Sequence, residues 1–588
     1  MEFACTLTGN MYRYSFGNYN PWTLPFEPGR SVALTAGQND RVSFQILLYN
    51  GEDMMMALDE SPALHPVWQL PVFRVLCELP EKSGLTVSLS FIEDVRDDDG
   101  NYKGEILSSA RLKEQERLRV QQIWAEIEIP EDTEPGLYRG EVKIYECRMF
   151  GDERQCALVP FSVEVLPVRL PSLKDAGFGL DLWQHHTSLA RTYEVPLWGE
   201  EHFALMERYA EKLAQIGQAS ITVIASEAPW SGQWSAWYRT NPSDVFEYSM
   251  IRVKKDITGT FSYDFSVMDR YIRMCMAHGI DREIELFGLA GVWTMPDAGF
   301  GRVTEDGEEA IRVRYLDEES GCLRYMRKRS EVEDYLRAID TELVKNGWDQ
   351  IARAAVDEPA DSDGFRRTLE WLEKCMPHVR FKVTVCSSRV LRDDYERITD
   401  CVVNLPLLFG EKGIAEKLKE AYHVSFYTAI EPPHPNSFLS CCPSEVRFLP
   451  WLSLILGMDG FLRWAAWLFP KNPFDRESYH YQKFRAGGMQ FLYPGKGGRP
   501  LESLRYKQLA QGIRDNMILR EYEKKTGKSG AETAGRILKL PIEQIGGCRD
   551  ASEFMETDQE SFDGIIKEAL YALAAKQKEQ GCLDTGEE

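Results

Sequence analysis

The chain has 588 residues, 43% of them hydrophobic and 27% charged, which is the composition of a globular protein with more than one domain. Its 92 acidic residues against 69 basic ones give a formal net charge of −23. Such an acidic surface repels phosphate backbones and anionic lipid, so nucleic acids and membranes are not expected partners, whereas neutral sugars are not penalised.

The N-terminal residues MEFACTLTGNMYRYSFGNYN contain no basic segment followed by an apolar one, so no secretory signal is predicted and a cytoplasmic location is expected. The most apolar later segment, LPWLSLILG (449–457), is about half as long as a bilayer-spanning helix. The 13 cysteines lack zinc-site spacing and are predicted to be reduced, buried thiols. No metal and no cofactor are therefore expected, and the oligomeric state stays open.

The first 170 residues alternate apolar and polar positions in short runs that Gly, Pro and Asp separate. RVSFQILLY (41–49), LTVSLSFI (85–92) and QIWAEIEI (122–129) are three of these runs. A period of two is typical of strands with one buried face. We predict an N-terminal β-sandwich domain over residues 1–170.

After LPVRLPSLKDAG (166–177), short β-rich runs alternate with amphipathic helical segments. Eight such runs follow, at 178–184, 220–226, 283–289, 352–358, 381–387, 401–408, 424–431 and 460–467. This alternation predicts a (β/α)8 barrel over residues 171–525. Residues 526–588 are charged and are predicted to form a helical C-terminal extension. The fold class is therefore a multidomain β plus α/β protein.

The fourth of these strands ends in two adjacent carboxylates, Asp357 and Glu358, followed by Pro359. Barrel enzymes place catalytic groups at the C-terminal ends of their strands. Pro359 is expected to keep Glu358 in an extended conformation and to end the strand. Successive strand side chains point to opposite faces, so both carboxylates can reach one pocket only if the strand bends at its tip. The alternative interpretation, an acidic cap of the helix that follows, stays open.

Several segments carry a resemblance to a known family: DLWQHHTSLARTYEV (181–195), PWSGQW (229–234), KNGWDQIARAAVDEP (345–359), PHPNSF (433–438), FLYPG (491–495) and SLRYKQLAQGIRD (503–515). On these segments the chain resembles glycoside hydrolase family 123, the β-N-acetylgalactosaminidases with a β-sandwich ahead of a (β/α)8 barrel. The resemblance runs from the sandwich to about residue 520. It implies an exo-acting glycosidase on β-linked N-acetylhexosaminides, most of all N-acetylgalactosaminides, with an oligosaccharide or glycoside as its partner.

The resemblance also implies a substrate-assisted retaining mechanism, in which the 2-acetamido oxygen of the sugar attacks the anomeric carbon. Asp357 would orient the acetamido group and stabilise its developing positive charge. Glu358 would protonate the leaving oxygen and then deprotonate the incoming water.

Further residues near the predicted strand ends could contact the sugar, because pyranose rings stack on aromatic side chains and hydroxyls need polar partners. Each of them could instead be an ordinary core residue. The predicted substrate-binding residues are Trp183, His185, Trp230, Gln233, Asn404, Tyr427, Glu431, Trp464 and Trp467.

Two other functions stay open at this point. A retaining glycosidase on sugars without an acetamido group would use Glu358 as acid/base and Glu431 as nucleophile, although that arrangement has Asn, not Asp357, before its acid/base. A non-catalytic carbohydrate-binding protein on the same barrel is the second alternative. The sequence does not define galacto or gluco configuration, linkage or aglycone.

Overall fold

The computed structural model describes residues 3–16, 26–58, 70–148, 151–229, 246–291, 299–301, 310–359, 362–389, 397–470, 472–474 and 485–584. These ranges form two facing β-sheets, a parallel barrel with its helices, and a helical C-terminal segment.

Twelve strands build the N-terminal sandwich that the alternating runs predict. One sheet has the order β1-β4-β10-β7-β8-β2 and the other β3-β12-β11-β6-β5-β9. The apolar residues of their inner faces, such as Phe44, Ile123 and Val163, form one buried core. The strands are β1 (Ala4–Gly9), β2 (Ser15–Phe16), β3 (Val32–Gln38), β4 (Asp40–Tyr49), β5 (Met54–Ala57), β6 (Val72–Glu78), β7 (Thr86–Arg96), β8 (Tyr102–Leu107), β9 (Leu112–Gln115), β10 (Val120–Ile129), β11 (Gly136–Cys147) and β12 (Arg154–Arg169).

The strands that follow are β13 (Gly179–Gln184), β14 (Ser220–Ile224), β15 (Ala228–Pro229), β16 (Phe246–Glu247), β17 (Arg252–Lys255), β18 (Phe261–Asp264), β19 (Glu283–Gly291), β20 (Arg314–Asp317), β21 (Cys322–Tyr325), β22 (Ala352–Asp357), β23 (Arg380–Val385), β24 (Ile398–Asn404), β25 (His423–Tyr427), β26 (Gly460–Trp467), β27 (Leu492–Pro494) and β28 (Pro500–Glu502). Eight of them, β13, β14, β19, β22, β23, β24, β25 and β26, pair in parallel as the predicted barrel. A small sheet of β17, β18, β20 and β21, which the sequence did not predict, is inserted on either side of β19 in the chain.

The helices are α1 (His186–Thr192), α2 (Glu200–Gln215), α3 (Ser266–Ala277), α4 (Arg329–Asn346), α5 (Ser362–Cys375), α6 (Leu405–Gly410), α7 (Ile414–Lys419), α8 (Pro443–Ile455), α9 (Leu504–Thr526), α10 (Gly530–Gly535) and α11 (Gln559–Asp584). None of the helices in the described part of the chain is both long and apolar enough to cross a membrane.

The barrel is closed between β13 and β14 largely by amide side chains. The Leu182 amide donates to Oε1 of Gln218 (3.0 Å), and the Thr222 amide donates to Oε1 of Gln184 (2.7 Å). The side chains of Gln218 and Gln184 accept these hydrogen bonds in place of backbone carbonyls of the neighbouring strand. The backbone amides of β13 and β14 therefore have partners although the two strands diverge.

The lower part of the barrel interior holds a buried lysine among three carboxylates. Lys382 Nζ donates to Asp181 (2.6 Å), to Glu283 (2.7 Å) and to Glu285. Burial raises the pKa of Glu285 well above its usual range, and the Asp181 charge raises it further. Burial alone would lower the pKa of Lys382, but the surrounding carboxylates raise it well above its ordinary value. The lysine therefore stays charged and offsets part of the negative charge of the three carboxylates.

Lys382→Met should lower the free energy of unfolding by about 3–5 kcal/mol, because it leaves buried carboxylates without their counter-ion. Urea unfolding of the full chain measures the change, and Lys374→Met, an exposed lysine of α5, is the matched control. A loss below about 1 kcal/mol would mean that the carboxylates are satisfied by taking up protons instead.

Helix α9 follows the eighth barrel strand and lies against the sandwich. Arg505 pairs with Glu105 (2.7 Å), both fully buried, and Arg514 pairs with Asp40 (2.6 Å). A cavity of about 490 Å³ lies at this contact. Arg514 lines it but is already paired with Asp40, and neither Asp357 nor Glu358 is among its lining residues. We keep 1–170, 171–525 and 526–588 as the proposed domain limits.

Candidate active site

Four neighbouring barrel strands bring polar side chains to one edge. Asp357 is the last residue of β22, Thr384 lies near the end of β23, and Asn404 and Tyr427 end β24 and β25. Val356 pairs with Val383, and Asn404 with Tyr427, so these strand ends are in register. Because alternate residues point into a barrel, the polar side chains of adjacent strands converge at its C-terminal end.

The chain turns sharply at Glu358. Its φ of 41° lies in the left-handed region, so the prediction that Pro359 keeps it extended is wrong. A non-glycine residue in this conformation costs about 1–3 kcal/mol and is typical of functional sites. The turn breaks the alternation of the strand, so it provides the bend that two neighbouring carboxylates need to reach one pocket.

Thr384 fixes both members of the pair. Its hydroxyl donates to Oδ1 of Asp357 (2.8 Å) and accepts a hydrogen bond from the backbone amide of Glu358 (2.9 Å). One side chain of the neighbouring strand therefore sets the orientation of Asp357 and the position of the turn.

Tyr427 is the hydrogen-bond donor to Glu358. Its hydroxyl donates to Oε1 of Glu358, and the side chain of Asn404 also bonds to Tyr427. Burial raises the pKa of Tyr427 well above its usual value, and the charge of Glu358 raises it further. The phenol therefore stays protonated over the working range of pH and remains a donor.

Tyr427→Phe should lower kcat by about 10- to 100-fold, because a hydrogen bond to a charged group contributes about 1.5–3 kcal/mol. Steady-state kinetics on an aryl glycoside measures the loss. Tyr522→Phe, which changes a buried tyrosine of α9, is the control and should behave as wild type. Equal activity of the two variants would remove Tyr427 from the site.

Apolar and aromatic side chains lie beside these polar groups. Trp183, Phe287, Leu462 and Tyr427 share one buried cluster, and the partly exposed Trp464 packs against it. The Trp183 and Phe287 rings meet edge-on with centroids 4.7 Å apart. Nε1 of Trp183 is buried without a hydrogen-bond partner in the described part of the chain. The partly exposed indole of Trp464 is suited to stacking on a sugar ring.

Two other predicted contact residues, Trp467 and His185, are buried. Trp467 is 1% exposed and packs against Tyr209 of helix α2, outside the barrel strands. Its Nε1 donates to the carbonyl of His185 (3.0 Å). His185 is fully buried, with Nε2 2.8 Å from the carbonyl oxygen of Trp464. It therefore contacts the backbone that carries Trp464, while Trp467 belongs to the barrel core.

Glu431 does not end the seventh strand, because β25 stops four residues earlier at Tyr427. The side chain of Glu431 is exposed, and the residue is joined to Pro432 by a cis peptide bond. Trp230 and Gln233 lie outside the described residues.

Thr384 is the residue of this edge that sequence reasoning missed. It stands in the run FKVTVCS, one position beyond the partner of Val356 in the parallel register, and therefore beside Asp357. The pairing register between β22 and β23, the fourth and fifth barrel strands, was the signal that could have identified Thr384. Cys386, two residues further along, lies at the same edge; the surrounding protein partly desolvates its thiol and so raises the pKa of this thiol, and the charge of Glu358 adds to the rise.

Among the described residues, two groups of side chains have the composition of a metal site. Asp181, Glu283 and Glu285 are one group, and the Lys382 ammonium already lies between them. His434, Cys441 and Glu445 are the other. Neither group contains Asp357 or Glu358.

Barrel enzymes that act on sugars carry carboxylates at the C-terminal ends of their strands, and this barrel has an acid pair there with a tyrosine and indoles beside it. A model of the glycoside hydrolase 123 catalytic domain matches residues 183–522. The chain belongs to glycoside hydrolase family 123. It is thus a glycoside hydrolase, and its substrates are glycans or glycosides.

Solved structures support the fold. A family 123 glycoside hydrolase from Clostridium perfringens aligns over 100% of both chains with a TM-score of 0.72 and 17% identity. A β-glucuronidase from Bifidobacterium dentium (TM-score 0.25, 10% identity, 79% of this chain and 60% of that one) is far less similar. The same holds for an N-acetylneuraminate lyase from Proteus mirabilis (TM-score 0.24, 9% identity, 68% and 98%). No curated protein matches the chain.

Proposed function

We propose that the chain is an exo-acting glycosidase on β-linked N-acetylhexosaminides, N-acetylgalactosaminides above all, with a substrate-assisted retaining mechanism. The observation that carries the proposal is the adjacent pair Asp357 and Glu358. The backbone turns at Glu358, whose φ is 41°, and the Thr384 hydroxyl bonds to the Asp357 carboxylate and to the Glu358 amide. Membership of family 123 supports it.

In the first step, the carbonyl oxygen of the 2-acetamido group forms a bond to the anomeric carbon while the glycosidic C–O bond breaks. Glu358 transfers its proton to the departing oxygen, so the aglycone leaves as a neutral alcohol. Asp357 accepts a hydrogen bond from the acetamido N–H and offsets the positive charge that spreads over the forming oxazolinium ring.

In the second step, water attacks the anomeric carbon from the side that the aglycone left. Glu358, now a carboxylate, takes a proton from this water, and the acetamido group is released from the anomeric carbon. Two inversions leave the configuration unchanged. Glu358 is returned to its protonated form and the hemiacetal sugar departs.

Adjacency of the two carboxylates suits this chemistry. Both act near C1 and C2 of one sugar ring, and the substrate itself supplies the nucleophile, so no carboxylate is needed across the ring. Tyr427 bonds to Glu358, and the partly exposed Trp464 offers a surface for the ring.

The two-glutamate mechanism has less support. It needs a nucleophile whose carboxyl group lies about 5 Å from that of the acid/base, at the end of the seventh strand. Glu431 is exposed and stands four residues beyond that end.

A substrate comparison tests the proposal. Wild-type enzyme should hydrolyse the p-nitrophenyl β-glycoside of N-acetylgalactosamine at least about 100-fold faster, in kcat/KM, than that of galactose, because only the former carries the nucleophile. The corresponding glucose pair tests configuration at C4. Equal rates on sugars with and without the acetamido group would refute it.

A further inference from the structure

A cluster of metal-binding side chains lies between the seventh barrel strand and helix α8, apart from the acid pair. His434 stands in the connection after β25, Cys441 precedes the helix, and Glu445 lies in its first turn. One ligand atom from each, namely the His434 Nδ1, the Cys441 Sγ and a Glu445 carboxylate oxygen, lies within 4.8 Å of the other two.

The thiol and the carboxylate converge on the same ring nitrogen. Nδ1 of His434 is 2.9 Å from Oε2 of Glu445 and 3.9 Å from Sγ of Cys441. In the structure the ring nitrogen bonds to the carboxylate, and the thiol donates to the carbonyl oxygen of Pro433 (3.5 Å). Loss of the protons on the thiol and on Nδ1 leaves three ligand atoms that are close enough to share one metal ion. Tetrahedral zinc would separate nitrogen from oxygen by about 3.3 Å and nitrogen from sulfur by about 3.6 Å, close to these values.

The surroundings hold the carboxylate in place as the environment of a metal ligand does. Oε1 of Glu445 accepts the Cys442 amide (3.0 Å), and Oε2 accepts the Asn436 amide (3.3 Å). Hydrogen bonds of this kind fix the orientation of ligating carboxylates.

Burial and charge also fit a metal. Cys441 is 2% exposed and the Glu445 side chain 1%, whereas 16% of the His434 side chain is exposed, which leaves access from solvent. A divalent ion with one thiolate, one carboxylate and a neutral imidazole has no net charge, and so can be buried at low cost.

We propose that His434, Cys441 and Glu445 form a binding site for a divalent transition metal of the zinc type, with its fourth position open to water. The ion joins the connection after β25 to the start of α8. Arg13 of the N-terminal segment donates to the carbonyls of Leu439 and Cys441 (both 3.0 Å), so the ion also stabilises a contact between the N-terminal region and the barrel.

Metal analysis of the full chain tests the site. The protein is incubated with Zn²⁺, dialysed against metal-free buffer and analysed by mass spectrometry of its metal content. We expect about one zinc ion per chain in wild type and in Cys375→Ser, which changes an equally buried thiol of α5, and none in Cys441→Ser. Zinc that is absent from wild type, or retained in full by Cys441→Ser, would overturn the proposal, the second result because the ion is then bound elsewhere.

Cobalt substitution keeps the test decisive if Cys441→Ser does not fold. Wild-type protein loaded with Co²⁺ should show a thiolate-to-cobalt charge-transfer band in the near ultraviolet and the intense visible bands of tetrahedral cobalt. His434→Asn should lose both. A spectrum without the thiolate band in wild type would contradict the site, whatever the variants do.

Discussion

Glu358→Gln is expected to lower kcat/KM by about 10²- to 10⁴-fold on glycosides whose leaving group is a sugar or an alkyl alcohol. The amide neither gives a proton to the leaving oxygen nor takes one from water. Steady-state hydrolysis of alkyl and aryl glycosides of N-acetylgalactosamine measures the loss. The loss in the first step should shrink for dinitrophenyl glycosides, because a weakly basic leaving group departs without a proton.

Two further variants serve as controls for Glu358→Gln. Glu420→Gln changes an exposed glutamate of the barrel and should leave the kinetics unaltered. Glu431→Gln separates the two mechanisms, since a nucleophile would be as indispensable as Glu358, whereas a glutamate at the rim would change kcat by less than about tenfold. Loss of activity in Glu431→Gln with Glu358→Gln still active would contradict the assignment of Glu358.

Asp357→Ala is expected to lower kcat/KM on N-acetylhexosaminides by about 10²- to 10³-fold, the usual effect of removing a group that stabilises transition-state charge. The reason is that Asp357 acts on the acetamido group and not on the leaving oxygen. The same variant should have little effect on any residual hydrolysis of the matching sugar without that group. Kinetics on the paired substrates measures both effects.

Thr384→Val is the companion variant for Asp357. It removes the hydroxyl that binds Asp357 Oδ1 and the Glu358 amide but keeps both carboxylates, so its loss should be smaller than that of Asp357→Ala. An Asp357→Ala enzyme that loses activity equally on both kinds of sugar would show that Asp357 supports Glu358 rather than the acetamido group.

The barrel and the sandwich are predictable from the sequence because burial follows the period of each element. Strands such as GFLRWAAW (460–467) and SITVIAS (220–226) carry few charged residues and are buried on both faces, as parallel strands under helices are. The inserted sheet of β17, β18, β20 and β21 was missed. Its strands are four residues long and mix polar with apolar residues, so their alternation is too short to distinguish from a loop.

The position of Asp357 and Glu358 at a strand end was predictable from the chain, whereas the residues that contact them were not. Asp357 follows an apolar run, but the contact with Thr384 depends on the register between two strands, which composition does not define. The face of Trp467 was also not predictable: β26 carries one tryptophan on each face and a single charged residue, Arg463, and this pattern does not say which tryptophan points inward.

The burial of Lys382 and its carboxylate partners was also not predictable from the sequence. Glu283, Glu285 and Lys382 alternate with apolar residues in their strands, a pattern that elsewhere marks a solvent-facing side. In a closed barrel that side is the interior. Only the pairing of opposite charges from different strands makes the pattern compatible with burial.

The most direct measurement is the rate on substrates whose acetamido group carries zero, one, two or three fluorine atoms. Fluorine withdraws electrons from the carbonyl oxygen and weakens it as a nucleophile without altering the leaving group. If that oxygen attacks the anomeric carbon beside Asp357 and Glu358, kcat/KM must fall steeply with each fluorine. A rate that does not change along the series would contradict substrate assistance and point to a nucleophile supplied by the protein.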